Sequence, residues 1–431
     1  MAGLAVRETF RALKHHNFRL FYFGHGMSLI GTWMQRTATV WLVYRLTQSP
    51  EVLGNVDFSG QIAGVVLIPI AGVLLDRWNR YRVIIWTQVL SMVQALLLAG
   101  LVFSGIVAVW HIVVLNAFLG IINSFDMPAR QAFISQIVED KDDLANAIAL
   151  NSAMFNGARI IGPSVAGLAI AVFGEGLCYL FNGLSYIAII GALLAMKITV
   201  TQTAAGTSSN IAGGLKEGFV YTYNSLPIRM VLLLLALMSL VGFPVLPLMP
   251  LFAGEVLGGG PDTLGWLMAA FGAGAFVGTI FLASRPSIVG IEKVIAVTSI
   301  IFSVGLMAFA LSVRLELSLV IAFIMGFGII AQMASTNTII QTLVDEDKRG
   351  RVMSLYVLSF GGIAPIGSLM AGHVAGIIGT SYTFLLGGIL ALAGAVAFGR
   401  KLPAWRSAAR KVYLAKGLIH ETCSGEMKHW I

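Results

Sequence analysis

The feature that most constrains this chain is a succession of apolar runs, each about as long as a bilayer is thick. A helix needs roughly 20 mostly apolar residues to cross the hydrocarbon core. Twelve segments meet that length, near 17–45, 51–76, 82–104, 107–128, 144–174, 177–197, 228–255, 263–284, 291–313, 315–343, 350–378 and 381–400. Composition points the same way. Of the 431 residues 57% are hydrophobic and 11% charged, against about 25% charged in a soluble domain. The expected fold class is an all-α membrane protein of twelve transmembrane helices.

Residues 198–227 interrupt the runs. They are rich in Thr, Ser and Gly and read as a linker ending in a short amphipathic piece. The linker divides the runs six and six. A repeat supports that division. "QIVEDKDDLANAIALNSAMFNGARIIGPSVAG" begins at Gln136, and "QTLVDEDKRGRVMSLYVLSFGGIAPIGSLMAG" begins at Gln341. At a constant shift of 205, Gln136, Asp140, Asp142, Gly162 and Gly167 meet Gln341, Asp345, Asp347, Gly367 and Gly372. Two pseudo-symmetric six-helix bundles are the parallel-repeat plan of one large transporter class. The expected domains are a bundle over 1–197, a linker over 198–227, a second bundle over 228–402 and a basic tail over 403–431.

The net charge of +8 does not call for nucleic acid. In a membrane protein it marks the cytoplasmic loops. With both termini inside, only Arg36, Arg45, Arg159 and Arg314 of the 28 Lys and Arg residues fall outside cytoplasmic segments. The reverse orientation would put nearly all the basic charge outside. The first apolar run follows Arg7, Arg11, Lys14 and Arg19 and is too long for the core of a cleaved signal peptide. Cys178 and Cys423 fall on opposite faces, which excludes a disulfide framework and a cysteine metal site. His25, His111 and His373 lack metal-ligand spacing. No P-loop lysine motif occurs, and "GAGAFVG" (272–278) lies inside a span, where helix packing explains it better than a nucleotide. No cofactor, metal or enzymatic activity is expected.

One charged stretch stands out among the apolar runs: "AGVLLDRWNRYRVII", residues 71–85. It forms the cytoplasmic turn between the second and third spans. Asn79 is able to take the left-handed conformation that such a turn asks for, and Gly72 lets a neighbouring helix approach. Gly72, Leu74, Asp76, Arg77 and Arg80 together resemble the signature of the major facilitator superfamily, with Asn79 in place of its usual glycine. The resemblance implies a gating role for Asp76, Arg77 and Arg80, latching the two bundles on the cytoplasmic side. A basic turn that only sets topology is the competing reading. "NGARIIGPSVAG", 156–167, resembles the glycine–proline motif of the superfamily's proton antiporters through Gly157, Gly162, Pro163 and Gly167. On residues alone these four form one closely packing stretch able to bend. "GTWMQRTATVWLVYRLT", "FDMPARQAFISQIV" and "FNGLSYIAII" extend the likeness to the exporter branch that contains enterobactin and macrolide efflux proteins.

Polar residues inside spans are the candidate working groups. Ser28, Thr32, Gln35, Arg36 and Thr39 fall three or four apart on the first span. Asn116, Gly120 and Asn123 do so on the fourth, Ser152, Asn156 and Arg159 on the fifth, and Gln332, Ser335 and Thr336 on the tenth. By resemblance, spans one, four, seven and ten line the central cavity, and these stripes are read as its wall. Interhelical hydrogen bonding without substrate contact competes with that reading for each residue. Charge inside a span demands a partner. Arg36 and Asp57 lie at similar depth and are able to pair. Asp126, near the cytoplasmic end of its span, is able to pair with Arg130 at i+4. Pro244, Pro247 and Pro250 should break or kink the seventh span. The tail from Trp405 is expected on the inner leaflet.

These features describe a secondary transporter of the cytoplasmic membrane, multi-pass and monomeric, in contact with lipid. It would export a small amphipathic or anionic molecule, siderophore-like or drug-like, against protons by alternating access. A lipid-like substrate, a uniporter or importer, and a non-transporting sensor of the same fold remain open. Single cysteines placed in the 198–227 linker and after residue 403 should react only with reagents that reach the cytoplasm. Labelling of either from outside would overturn the topology.

Overall fold

The computed structural model describes residues 10–75, 78–138, 140–197, 211–285 and 287–416. No strand occurs among them. Six long helices come first: α1 (His16–Thr47), α2 (Pro50–Leu75), α3 (Arg80–Phe103), α4 (Val109–Ile137), α5 (Leu144–Phe173) and α6 (Glu175–Ala195). A short helix α7 (Ile211–Asn224) follows, then α8 (Leu226–Gly242), α9 (Val245–Leu251), α10 (Pro261–Ala283), α11 (Ile291–Leu311) and α12 (Leu315–Leu343). The chain ends with α13 (Glu346–Val357), α14 (Ile363–Ile378), α15 (Thr380–Arg400) and α16 (Leu402–Ala415). Among the described residues, eleven helical stretches are long and apolar enough to cross a membrane. The 32-residue α1 is long enough but falls outside that set. Its polar stripe dilutes its hydropathy. Counting it as a span is consistent with twelve.

The described residues fall into two compact units. One contains α1 to α6 together with Met249–Ala269; the other runs from α7 to Leu248 and resumes at Ala270. The change of unit follows the proline-rich stretch. Helix α8 stops at Gly242, α9 starts at Val245, and a π-turn covers Phe252–Val256. Each proline removes a backbone donor, so the seventh span is broken as its sequence requires. A second π-turn, Leu358–Gly362, joins α13 to α14, and there Ser239 Oγ donates to the Phe360 carbonyl at 2.6 Å. That bond serves a carbonyl inside irregular helix.

Glycine crossings set the spacing of helices within each unit. A methyl group on Gly120 of α4 would collide with the Gly60 carbonyl of α2, and one on Gly64 would lie 3.3 Å from the Gly120 oxygen. In the second unit Gly274 of α10 meets the Phe323 carbonyl of α12, and Gly326 meets that of Phe271. Gly274 and Gly278 thus serve helix packing.

Two observations correct the sequence reading, and a third adds to it. Helix α4 passes through Pro128 and continues to Ile137. Proline costs one donor, and a membrane helix tolerates the loss where neighbours compensate; Asp126 is therefore interior. Asn79 is extended, at φ −70° and ψ 108°, and its side chain accepts from the Arg82 N–H at 3.3 Å. It caps α3, whose first N–H groups lack helical partners. The described part of the tail is a helix docked on the second unit. Trp405, Ala409 and Tyr413, four apart, are buried. Trp405 Nε1 donates to the Pro227 carbonyl at 3.0 Å, and Arg406 Nε to Glu292 Oε1 at 2.9 Å. Lys416 Nζ donates to the Thr342 and Val344 carbonyls at the end of α12, the end where a cation is favoured.

The repeat reappears as a pair of clamps. The turn Arg11–Lys14 docks on the start of α5, where buried Asp143 takes Arg11, Lys14 Nζ at 2.6 Å and His15 Nε2 at 2.8 Å. Helix α7 docks on the start of α13 through the Glu217–Arg351 ion pair and a bond from the Tyr221 hydroxyl to Asp345 Oδ2 at 3.0 Å. Hydrogen bonds from Lys14 and His15 hold the Asp143 carboxyl below the ordinary carboxylate range. A carboxylate depressed in the folded state stabilises above its unfolded pKa, and that support goes as pH falls through the folded value. Asp143→Asn should therefore lower the melting temperature at neutral pH. The difference from the parent should persist down to about pH 4 and close only below it, as read by thermal unfolding across pH.

Candidate functional site

Helices α1, α3 and α4 enclose a buried charge cluster. Asp126 is 2% exposed and forms an ion pair with Arg130 one turn on. Thr87 Oγ1 and Gln88 Nε2 each donate to Asp126 Oδ1 at 2.7 Å. On the other side Arg130 Nη1 lies 3.0 Å and 2.9 Å from the two ring nitrogens of buried His25. The i,i+4 geometry makes the pair available, and Thr87 and Gln88 occupy further acceptor capacity of the carboxylate. Five side chains thus fix where α3, α4 and α1 meet.

Gln35 points into a second network. Its amide donates to Gln94 Oε1 at 2.9 Å and its Oε1 accepts from Asn182 Nδ2 at 2.7 Å. Thr39 Oγ1 lies 3.1 Å from the Tyr179 hydroxyl. Gln35 and Thr39 therefore bind α1 to α3 and α6.

The adjoining face of α1 is different. Arg36 and, from α5, Arg159 both lie over the ring of Trp33, at 5.4 Å and 5.5 Å from its centroid. Phe155 meets the same ring edge-on at 6.0 Å. Arg36 and Phe155 are exposed and Arg159 half-buried. Gly162 allows the approach, because a methyl group there would strike Trp33 Cβ and lie 3.1 Å from the Ile30 carbonyl. A turn further along, Gly167 packs on Gly265, with a methyl at Gly167 reaching 2.9 Å from the Gly265 Cα; a methyl at Gly265 would stand 2.7 Å from the Pro163 carbonyl. Gly157 meets open space. The close packing expected of the whole stretch therefore holds for Gly162, Pro163 and Gly167, and Gly157 is corrected.

The other sequence candidates scatter. Asp57 is half-buried and accepts from Gln61 Nε2 at 2.6 Å. Asn116 packs beside Gly60 of α2, while Asn123 is exposed. Asn156 Nδ2 donates to the Ser152 carbonyl of its own helix. In the second unit Gln332 Nε2 donates to Thr336 Oγ1 at 3.2 Å, and both residues are buried. Gly72 belongs to α2 and Arg80 opens α3; Asp76 and Arg77 lie outside the described residues. Sequence reasoning missed Trp33, Thr87, Gln88, Gln94 and Asn182. Thr87, Gln88 and Gln94 are polar residues inside an apolar run, and that signal was readable.

A family model described as "transmembrane secretion effector" matches residues 7–421. The chain belongs to that family. It lies within the exporter branch of the major facilitator superfamily and is a multi-pass membrane transporter, not an enzyme. Its sequence is 24% identical to the staphyloferrin A transporter of Staphylococcus aureus, over 86% of this chain and 92% of that one. It is 23% identical to macrolide efflux protein A of Streptococcus pyogenes, over 89% and 96%. It is 26% identical to the multidrug efflux pump Tap of Mycolicibacterium fortuitum, over 84% and 88%. Among solved structures, the nucleoside transporter NupG superposes with a TM-score of 0.70 at 16% identity, over 90% of this chain and 98% of that one. The peptide transporter PepTSo does so with a TM-score of 0.70 at 12%, over 91% and 99%. At those identities the likeness is one of fold.

Removing one partner of a buried ion pair typically costs 3–5 kcal/mol, because the other charge stays behind. Arg130→Met should therefore unfold at a clearly lower temperature than the parent. Adding Asp126→Asn to it should recover part of the loss. A double-mutant cycle of thermal stability reads the coupling.

Proposed function

We propose that this transporter exports a small anionic or amphipathic molecule, siderophore-like or drug-like, by proton-coupled alternating access across the cytoplasmic membrane. The carrying observation is the pair of guanidiniums on the one Trp33 ring, beside exposed Phe155. Such a wall offers two cations and the exposed Phe155 ring to the same solute. The names of the relatives, a staphyloferrin A transporter, a macrolide efflux protein and a multidrug efflux pump, support the same class.

The membrane gradient supplies about 2.3 kcal/mol per charge per 100 mV. Asp57 is the proposed proton carrier. Asp126 already holds Arg130 and two further donors and is committed to joining helices. Asp76, Arg77 and Arg80 are the proposed cytoplasmic latch, and the basic bias of the loops supports a cytoplasmic position for both termini. The chain acts as a monomer.

The test is substrate-dependent proton release in proteoliposomes, screened over siderophores, macrolides and dyes. Asp57→Asn should abolish uphill export and leave substrate binding measurable. Arg159→Gln should weaken an anionic substrate about tenfold and a neutral one far less. Full export by Asp57→Asn with unchanged pH dependence would remove Asp57 as the carrier, and equal losses for both substrates would remove the anion preference.

A further inference from the structure

Each unit carries a groove, and the two grooves match along the first helix of each. In the first, a cavity of about 630 Å³ lies between α3 and α4. In the second, one of about 450 Å³ lies along α11, closed by Phe281 of α10 and Phe327 of α12, with Arg285 beside Lys293 in its lining. Along the first helix of each, Asn79, Arg82, Val83, Trp86, Thr87 and Leu90 are answered by Gly290, Lys293, Val294, Val297, Thr298 and Ile301, at a constant offset of 211. Along the second helix, Ile122 is answered by Phe327, at the offset of 205 that relates the two sequence repeats.

The shared chemistry is a basic mouth on an apolar trough. Arg82 and Lys293 are each the third residue of their helix, α3 starting at Arg80 and α11 at Ile291. Both are exposed. A cation there runs against the positive end of the helix dipole. The Arg82 N–H is taken by Asn79 and the Lys293 N–H by the Gly290 carbonyl, so an anion at either mouth would be met by the exposed side-chain cation. Glu292, the acidic residue on the second lining, turns to Arg406. Below the mouth, Trp86 and Leu90 in one groove and Val297 in the other are 64%, 38% and 54% exposed on membrane-crossing helices. Trp78, beside the first mouth, stacks on Phe125 at 6.1 Å, the aromatic placement found at a lipid headgroup level.

We propose that the two grooves are paired sites for anionic phospholipid. One headgroup phosphate sits on Arg82 and the other on Lys293, each with an acyl chain along the apolar trough. A phospholipid is the molecule whose charge and hydrocarbon occur in that order at the edge of a spanning helix. The first site also abuts the buried cluster, since Thr87 both lines the groove and donates to Asp126. The inference needs only that α3 and α11 cross the membrane, so it stands whichever way substrate moves.

The full-length protein is reconstituted in phosphatidylcholine with rising fractions of brominated phosphatidylglycerol or brominated phosphatidylcholine. Quenching of Trp86 is read as the difference between the parent and Trp86→Phe. The anionic lipid should bind about fivefold more tightly, the effect of one basic residue near a charged surface. Arg82→Gln should abolish that preference, while quenching by brominated phosphatidylcholine stays at the parent level and shows the groove intact. Arg82→Lys should keep the preference. In native mass spectrometry, Arg82→Gln and Lys293→Gln should each lose one tightly held phosphatidylglycerol, and the double variant two. Equal affinity for the two lipids, a preference that survives Arg82→Gln, or unchanged phosphatidylglycerol counts in the variants would overturn the proposal.

Discussion

In hydrocarbon the hydrophobic effect does not press one helix against another, so association depends on how closely two backbones can approach. The glycine crossings supply that approach: Gly60 on Gly120 between α2 and α4, and Gly274 on Phe323 with Gly326 on Phe271 between α10 and α12. They occupy comparable places in the two units. Once α4 is held with Gly120 on α2, its rotation is fixed. Asp126 then falls toward α3 and Arg130 toward α1, and the charge cluster follows. A side chain at Gly120 would move the whole polar interior of the first unit.

The same absence of water sorts the polar stripes. A buried amide or hydroxyl without a partner is expensive, so a polar residue inside a span either bonds across to another helix or turns back to its own. Gln35 lies between Gln94 and Asn182, and Thr39 beside Tyr179. Gln332 bonds Thr336 on its own helix. Arg36, Arg159 and Phe155 belong to a different class, grouped on one ring and open to varying degrees. Stripes of identical spacing thus divide into those that join helices and those able to meet a solute.

This division marks how far the sequence was legible. The apolar runs, the repeat and the proline break were readable because each is a local or periodic signal. The i,i+4 pair Asp126–Arg130 was readable for the same reason. A period of three or four says which residues share a face, but not which neighbour that face meets; Gln35 therefore read as cavity wall. The His25–Arg130–Asp126–Thr87 cluster joins residues 105 and 39 positions apart, and such pairing exists only once the helices are packed. Asn79 showed the limit at single-residue scale. Asparagine suits both a left-handed turn and a helix cap, and the start of α3 at Arg80 decided for the cap.

The Trp33 platform has an electrostatic consequence. Two guanidinium centres 5.4 Å and 5.5 Å from one centroid are no more than about 11 Å apart. At an effective dielectric of 20 their mutual repulsion is then at least ~1.5 kcal/mol. Each cation–π contact returns about 0.5–1 kcal/mol at an exposed site. The aromatic ring thus roughly cancels the repulsion and leaves no large surplus. A carboxylate about 5.5 Å from either guanidinium would gain on the order of 3 kcal/mol from it at the same dielectric, before its own desolvation is subtracted. A neutral solute gains none of that and keeps only the aromatic contact. On the proposed function, exposed Phe155 is the apolar contact for either kind of molecule, and the two arginines favour the charged one.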